Sequence, residues 1–213
     1  MQQRLIHVMD PMCSWCWGMA PLLDRIRQRW PDLPLHLMPA SLRANHGAPL
    51  DQHSRQALAA HWQAVASLSG QPFGDPQALP PTLVYDTRPA SRALVAAREL
   101  DAERSWVFAR ALQQAFYVQT QDLTQTAVLV AVAEQAGYPA DTFAERFDAA
   151  SCAEQLDQDL LWVEGLGLAE LPILFGERDG QLALLSTGYR PETDVLALLE
   201  RWLAAGESRQ SVA

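Results

Sequence analysis

The chain contains no lysine. All 16 of its basic residues are arginine, set against 25 acidic residues, so its 213 residues carry a formal charge of −9. The absence of an ammonium side chain excludes Schiff-base chemistry and a phosphate-loop lysine. An acidic chain with scattered arginines also lacks the basic patch that nucleic-acid binding needs. No apolar run approaches the roughly 18 residues that a membrane-spanning helix needs. Cysteine is scarce as well: three residues, an odd number, do not make the disulfide framework of a small secreted scaffold. Hydrophobic residues make up 49% and charged residues 19% of the sequence, a globular balance with material for one or two modest domains.

Twelve residues precede Cys13, with no apolar core segment and no small-residue cleavage site among them. The N-terminus therefore reads as free of a secretion signal, and the chain as cytoplasmic. In that compartment a close cysteine pair serves catalysis or metal binding more readily than permanent stapling.

Residues 4–9 (RLIHVM) read as a strand ended by the Asp10-Pro11 turn signal. After Cys13 and Cys16, Leu22, Leu23, Ile26 and Trp30 recur at helical spacing. Pro21 is expected to kink this helix without ending it, and Pro31 and Pro34 close it. Residues 35–38 (LHLM) form a second strand, parallel to the first through the helical crossover. The middle of the chain is different in kind. Between Ala90 and Ala136 there is neither glycine nor proline, and helices are predicted near 54–68, 88–100, 103–118, 124–136, 142–149 and 151–164. Strand chemistry returns at 172–175 and 182–186, joined through Asp179-Gly180, a hairpin signal. A last amphipathic helix has Pro191 in its first turn, with Gly206 suited to its C-cap. The order is β-α-β, a helical insert, then β-β-α. We expect one domain from 1–40 and 168–206, and an inserted helical domain from 41–167.

Cys13-Ser14-Trp15-Cys16 falls at the strand-to-helix junction. With Cys13 as N-cap, Cys16 is N3, whose backbone N–H an N-cap side chain normally accepts. The sulfur of Cys13 would thus occupy an anion-favouring place, aided by the helix dipole. Both effects favour thiolate, the attacking species in disulfide exchange, with Cys16 one turn on as the resolving partner. CxxC is also half of a zinc or iron–sulfur site, but Cys152 stands alone, and His36, His46, His53 and His61 show no ligand spacing relative to it. A pair of packed thiols without chemistry is the other reading, and core packing is the default for Cys152.

At these residues the sequence resembles the thioredoxin superfamily, and within it the DsbA-like family, near a cytoplasmic group described as protein-disulfide isomerases. The stretch from Asp10 to Gly18 (DPMCSWCWG), Pro21 eight residues after Cys13, the position of the helical block and Leu171-Pro172 before the third strand carry the likeness. The resemblance implies an α/β, thioredoxin-like fold with a large all-helical insertion. It implies thiol–disulfide exchange through Cys13 and Cys16. Leu171-Pro172 would be a cis peptide whose Leu171 backbone pairs with an extended substrate. On the residues alone, a trans proline opening an edge strand is equally open. Related proteins hold a buried carboxylate six residues before the first cysteine. Here that position is His7, an alternative proton-transfer group or a hydrogen-bonded core histidine.

Ser14 and Trp15 are expected to support the site, Trp15 as a wall of a hydrophobic substrate groove. The partners implied are protein or peptide thiols and disulfides, with glutathione or a cellular dithiol as redox partner and no bound cofactor or metal. Two other classes stay in view: a glutathione-dependent transferase or isomerase of small aromatic compounds, which generally keeps a single nucleophilic residue, and a non-enzymatic peptide-binding module. Strongly oxidising relatives place histidine where Trp15 stands, and Asp10, if it faces Cys13, opposes a thiolate. The Cys13–Cys16 couple should accordingly be a weaker oxidant than DsbA itself; titration against a glutathione redox buffer checks this, and a strongly oxidising potential would contradict it.

Overall fold

The computed structural model describes residues 3–42 and 47–210, with side chains through residue 206. A four-stranded mixed sheet is built from the two ends of the chain. It comprises β1 (Gln3–Met9), β2 (Leu35–Pro39), β3 (Ile173–Arg178) and β4 (Gln181–Thr187), in the order β2-β1-β3-β4. β1 runs parallel to β2 with His7 opposite Leu37, and antiparallel to β3 with His7 opposite Leu174. The β3–β4 hairpin turns through Asp179 and Gly180, both at positive φ (49° and 79°), the backbone that a tight two-residue hairpin requires.

Side-chain alternation along β1 sends Leu5, His7 and Met9 to one face and Ile6 and Val8 to the other. On the first face Leu5, Met9, Leu37 and Leu174 join the main core with α1 (Ser14–Arg29) and the last helix. On the second, Ile6, Val8, Ile173 and Phe175 form a smaller cluster with Trp162 and Val163. α1 runs unbroken through Pro21, which lies within its span.

Between β2 and β3 lie α2 (Gln52–Ser69), α3 (Arg88–Leu100), α4 (Ser105–Tyr117), α5 (Thr126–Gln135), α6 (Ala140–Asp148) and α7 (Ala150–Gly165), with a short 3-10 turn at Pro76–Ala78. α2 starts two residues earlier than the periodicity predicts, because the Asp51 side chain caps it, accepting from the Ser54 amide at 2.7 Å. α3 is the axis of this block. Ala90, Ser91, Ala93, Leu94, Val95, Ala96 and Ala97 are all buried, and their small side chains let neighbouring helices approach closely. Arg98 ties α3 to the sheet and to α7, donating to the Leu37 carbonyl (2.9 Å) and pairing with Asp159 (2.6 Å).

The last helix, α8 (Glu192–Gln210), continues through Gly206 instead of ending there. That glycine is used for close approach: a Cβ on it would collide with the Arg178 guanidinium. Arg178 also donates to the Trp202 carbonyl (2.6 Å) and lies over the Trp202 ring. The same indole covers Gly176, where a Cβ would come within 2.5 Å of ring carbon. Substituting Gly176→Ala should therefore overpack this contact and cost about 1–3 kcal/mol, read as a lowered urea midpoint at unchanged m.

Candidate active site

Cys13 is the N-cap residue of α1, with extended backbone (φ −89°, ψ 115°), and its carbonyl receives the Trp17 amide at 3.1 Å. Its sulfur makes no capping hydrogen bond, contrary to the expectation that it accepts the N3 amide. The sulfur stands beside the helix terminus and engages Cys16 instead. Cys13 is 6% exposed and Cys16 wholly buried, and both are free thiols. Burial pushes the Cys16 thiol well above its ordinary pKa, and the hydrogen bond and charge of Cys13 push it further; the Asp10 amide acts the other way. The pair is thus unequal, an outer sulfur at a helix N-terminus and an inner one that holds its proton.

Asp10 anchors the loop before the helix. Its carboxylate is fully buried and accepts from the amides of Met12 (2.8 Å) and Leu42 (2.9 Å) and from the Thr87 hydroxyl. Desolvation outweighs these bonds and raises its pKa to about 6. Tyr85 adds a second tie, donating its hydroxyl to the Met12 carbonyl at 2.7 Å.

His7 lies on the main-core face of β1, fully buried, edge-on to Trp106, with Nδ1 3.2 Å from the Ile173 carbonyl. Nε2 has no partner among the described residues. Burial lowers its pKa to about 4, so the ring is neutral near pH 7. The charge of Asp10 is among the influences that raise the Cys16 thiol.

On the outward side, Ser14 Oγ is 2.7 Å from His61 Nε2 of α2. Trp15 stands between His61 and Tyr189, with ring centroids 6.0 and 5.3 Å away. Leu171-Pro172 is a cis peptide at the start of β3, with Leu171 partly exposed and Pro172 buried. Cys152 is buried in α7, its sulfur 3.6 Å from the Arg92 carbonyl. His46 lies outside the described residues. Among the described residues no three His, Cys, Asp or Glu side chains come together as metal ligands, and no helix is long and apolar enough to cross a membrane.

Linear sequence did not single out His61, Tyr189 or Tyr85, because they reach the motif only through long-range packing. Asp10 did carry a local signal: an aspartate whose side chain receives the amide two residues on is an Asx turn.

A thioredoxin-type sheet, a CxxC pair at the start of its first helix and a cis proline opening the third strand define a thiol–disulfide oxidoreductase site. The model of the DSBA-like thioredoxin domain matches residues 4–190, and the chain belongs to that family. A structure from Nitrosomonas europaea, described as a candidate protein disulfide isomerase, is 34% identical with a TM-score of 0.87, over 96% of this chain and 99% of that one. The cytosolic disulfide reductase DsbM of Pseudomonas aeruginosa is 28% identical with a TM-score of 0.74, over 99% of this chain and 100% of that one, and its complex with glutathione is also a match. Among curated proteins, the ClpXP adapter protein SpxH of Bacillus licheniformis is 26% identical over 172 residues, 78% of this chain. The chain spans about half the length of that protein (54%).

The buried groups carry opposite pH signatures. An acid raised to about 6 from 3.8 contributes its stability fully below pH 3.8 and loses it as pH rises through 6. His7, lowered to about 4 from 6.5, contributes fully above pH 6.5 and loses its contribution as pH falls through 4. His36, held near 4 chiefly by burial and then by Arg98 and Arg4, adds to the histidine slope. Between pH 4 and 6 the carboxylate slope opposes the histidine slope. Asp10→Asn removes the carboxylate slope, so the stability of the variant should climb more steeply than wild type from pH 4 to 6 in urea unfolding. Parallel curves would contradict these assignments.

Proposed function

We propose that the protein is a cytoplasmic thiol–disulfide oxidoreductase of the protein-disulfide isomerase type, reducing and reshuffling protein disulfides with glutathione as its redox partner. One observation carries the reading: the outer cysteine of the pair is the N-cap residue of α1, its sulfur beside the helix terminus, while the inner sulfur is buried and holds its proton. Cys13 as thiolate attacks a substrate disulfide, forming a mixed disulfide and expelling one substrate thiolate. Cys16 then gives up its proton and attacks the Cys13 sulfur. That closes the Cys13–Cys16 disulfide and releases the second substrate thiol. Two glutathione molecules restore the dithiol and leave as glutathione disulfide. Isomerisation is the branch in which a second substrate thiol attacks the mixed disulfide before Cys16 does.

The proton of Cys16 has no direct route to water. We assign its acceptor to Asp10 in preference to His7, since Asp10 is the buried base whose charge acts on Cys16, while the Nδ1 edge of His7 is directed to Ile173. The Leu171 backbone beside the cis proline serves as strand partner for an extended substrate. Ser14 and Trp15, with His61 and Tyr189, form the polar and aromatic wall against which it lies. Glutathione as partner and the cytoplasm as compartment are supported by the relative named a cytosolic disulfide reductase and by its glutathione complex.

The names of the curated relatives favour a second reading, a peptide-binding adapter working through the same outer surface. A glutathione transferase or isomerase is favoured less, because both cysteines are present. The variants that separate these readings are Cys16→Ser, Cys13→Ser and the double alanine. Cys16→Ser should accumulate a mixed disulfide with a cysteine peptide and lose multiple-turnover reduction of insulin. Cys13→Ser should lose at least about 100-fold in the same assay, about 2.7 kcal/mol of barrier. Glutathione conjugation surviving in Cys16→Ser would point to a transferase. Client binding undiminished in Cys13→Ala/Cys16→Ala, with no insulin reduction by wild type, would point to the adapter.

A further inference from the structure

The loop between β4 and α8 brings two oppositely charged side chains to the edge of the cysteine site. Tyr189 packs its ring against Trp15 of the motif, centroids 5.3 Å apart, which sets its neighbours Gly188 and Arg190 beside the CxxC turn. Gly188 has a left-handed φ of 65°, and the Glu170 carboxylate leans on it: a Cβ there would come within 2.8 Å of Oε2. Glu170 directly precedes the cis peptide Leu171-Pro172. Arg190, on the other side of Tyr189, is exposed and lines a cleft of about 70 Å³ together with Gly18 and Arg25 of α1. Gly18 follows Cys13 by only five residues, about 7.5 Å along the helix axis. The carboxylate lining this cleft is that of Glu192, and Arg25 pairs with it. On its outer side Arg190 borders a second hollow with Asp194, whose carboxylate accepts from the Thr193 hydroxyl. Neither Arg190 nor Glu170 makes a side-chain hydrogen bond or ion pair among the described residues.

Arg4, Arg25, Arg29, Arg88 and Arg98 each hold a carboxylate of the protein itself, whereas Arg190 is left over at the rim of the site. Two residues span at most about 7 Å of chain, so Arg190 starts close to the carboxylate at Gly188 and yet does not pair with it. That spacing suits a small zwitterion lying between the two, its ammonium on Glu170 and its carboxylate on the guanidinium fork. We propose that Glu170 and Arg190 recognise the γ-glutamyl end of glutathione, Glu170 taking its α-ammonium and Arg190 its α-carboxylate. The inference rests on the oxidoreductase reading above and names the residues that select its redox partner. A tripeptide extends over about 10 Å, so glutathione held at this loop can bring its sulfur to the start of α1. Glutathione is negative overall at neutral pH, as is the chain, and Arg190 supplies the local positive charge that offsets this repulsion. The thiolate of the bound glutathione attacks the Cys13 sulfur of the oxidised pair, forming a mixed disulfide. The Cys13–Cys16 bond breaks, and its electron pair leaves on Cys16, which takes up a proton. A second glutathione thiolate then attacks the glutathione sulfur, departs as glutathione disulfide and returns the electron pair of that bond to Cys13.

The test is the second-order rate at which small thiols reduce the Cys13–Cys16 disulfide, compared between wild type, Arg190→Ala and Glu170→Gln. With glutathione and with γ-glutamylcysteine each variant should be slower by about threefold to fivefold, the upper range for exposed charge pairs. With cysteinylglycine, which lacks the γ-glutamyl residue, and with dithiothreitol both variants should react at the wild-type rate. Arg190→Lys should recover part of the loss with glutathione. Unchanged glutathione rates overturn the inference, and so does a loss confined to one of the two variants. An equal loss with dithiothreitol overturns it by showing that the substitutions disturb the pair itself. An equal loss with cysteinylglycine overturns it by moving the contact to the glycine carboxylate. If the variants slow insulin reduction driven by dithiothreitol and leave the glutathione rate alone, the two side chains serve the protein substrate and the inference is again overturned. If dithiothreitol reduces the wild-type pair and glutathione does not, this inference falls while disulfide exchange stands. If the wild-type pair never forms a disulfide, the oxidoreductase reading falls and this inference with it.

Discussion

The carboxylate of Asp10 is the point to which the working part of the molecule is tied. It draws two backbone amides and a hydroxyl to one buried spot, from the loop before α1, the segment after β2 and the approach to α3. Hydrogen bonds to a charged acceptor are worth about 1.5–3 kcal/mol each, enough to hold three otherwise unconnected stretches in register. The strand-to-helix turn, and with it the capping position of Cys13, is fixed by that knot. The same groups that hold the carboxylate only partly offset its loss of water, which leaves it able to change protonation near neutral pH. One residue can therefore be both a structural tie and a proton acceptor.

The helical block forms much of the wall of the site. Tyr85 and Thr87, from the segment between β2 and β3, bond the Met12 carbonyl and the Asp10 carboxylate of the cysteine loop, and Phe116 packs behind Tyr85. Trp106 and Arg110 of α4 reach α1 through Asp24, at 2.7 and 3.4 Å, and Arg110 lies over Trp17. The sheet and α1 supply the sulfurs, while the surroundings that govern their charge come from both halves of the chain.

Much of this was legible in the sequence wherever the signal was local. α3 begins and ends at Arg88 and Leu100 as its composition indicates, and the hairpin turns at Asp179-Gly180. The cysteine pair announced its chemistry because spacing, a preceding strand and a following helix lie within some twenty residues. What stayed hidden depends on contacts across the chain. Gly206 looks like a helix end and instead makes room for Arg178, 28 residues upstream on β3. His61 meets Ser14 across 47 residues, with no pattern linking them. The sulfur of Cys13 occupies the capping position but makes no capping bond, because position is set by backbone geometry and the bond by side-chain rotation.

The order of strands has a consequence for how the chain is made. β1 is a central strand, and its partner on one side, β3, begins 166 residues after His7 in the sequence. The sheet cannot be completed until β3 and β4, beyond the helical block, have been synthesised, and such distant pairings form slowly. The strand that leads to Cys13 and Cys16 is synthesised well before β3 and gains its full set of neighbours only after β3 has followed. During that interval the two thiols lack their finished enclosure, so the nascent chain is open to premature oxidation in a way the folded protein is not.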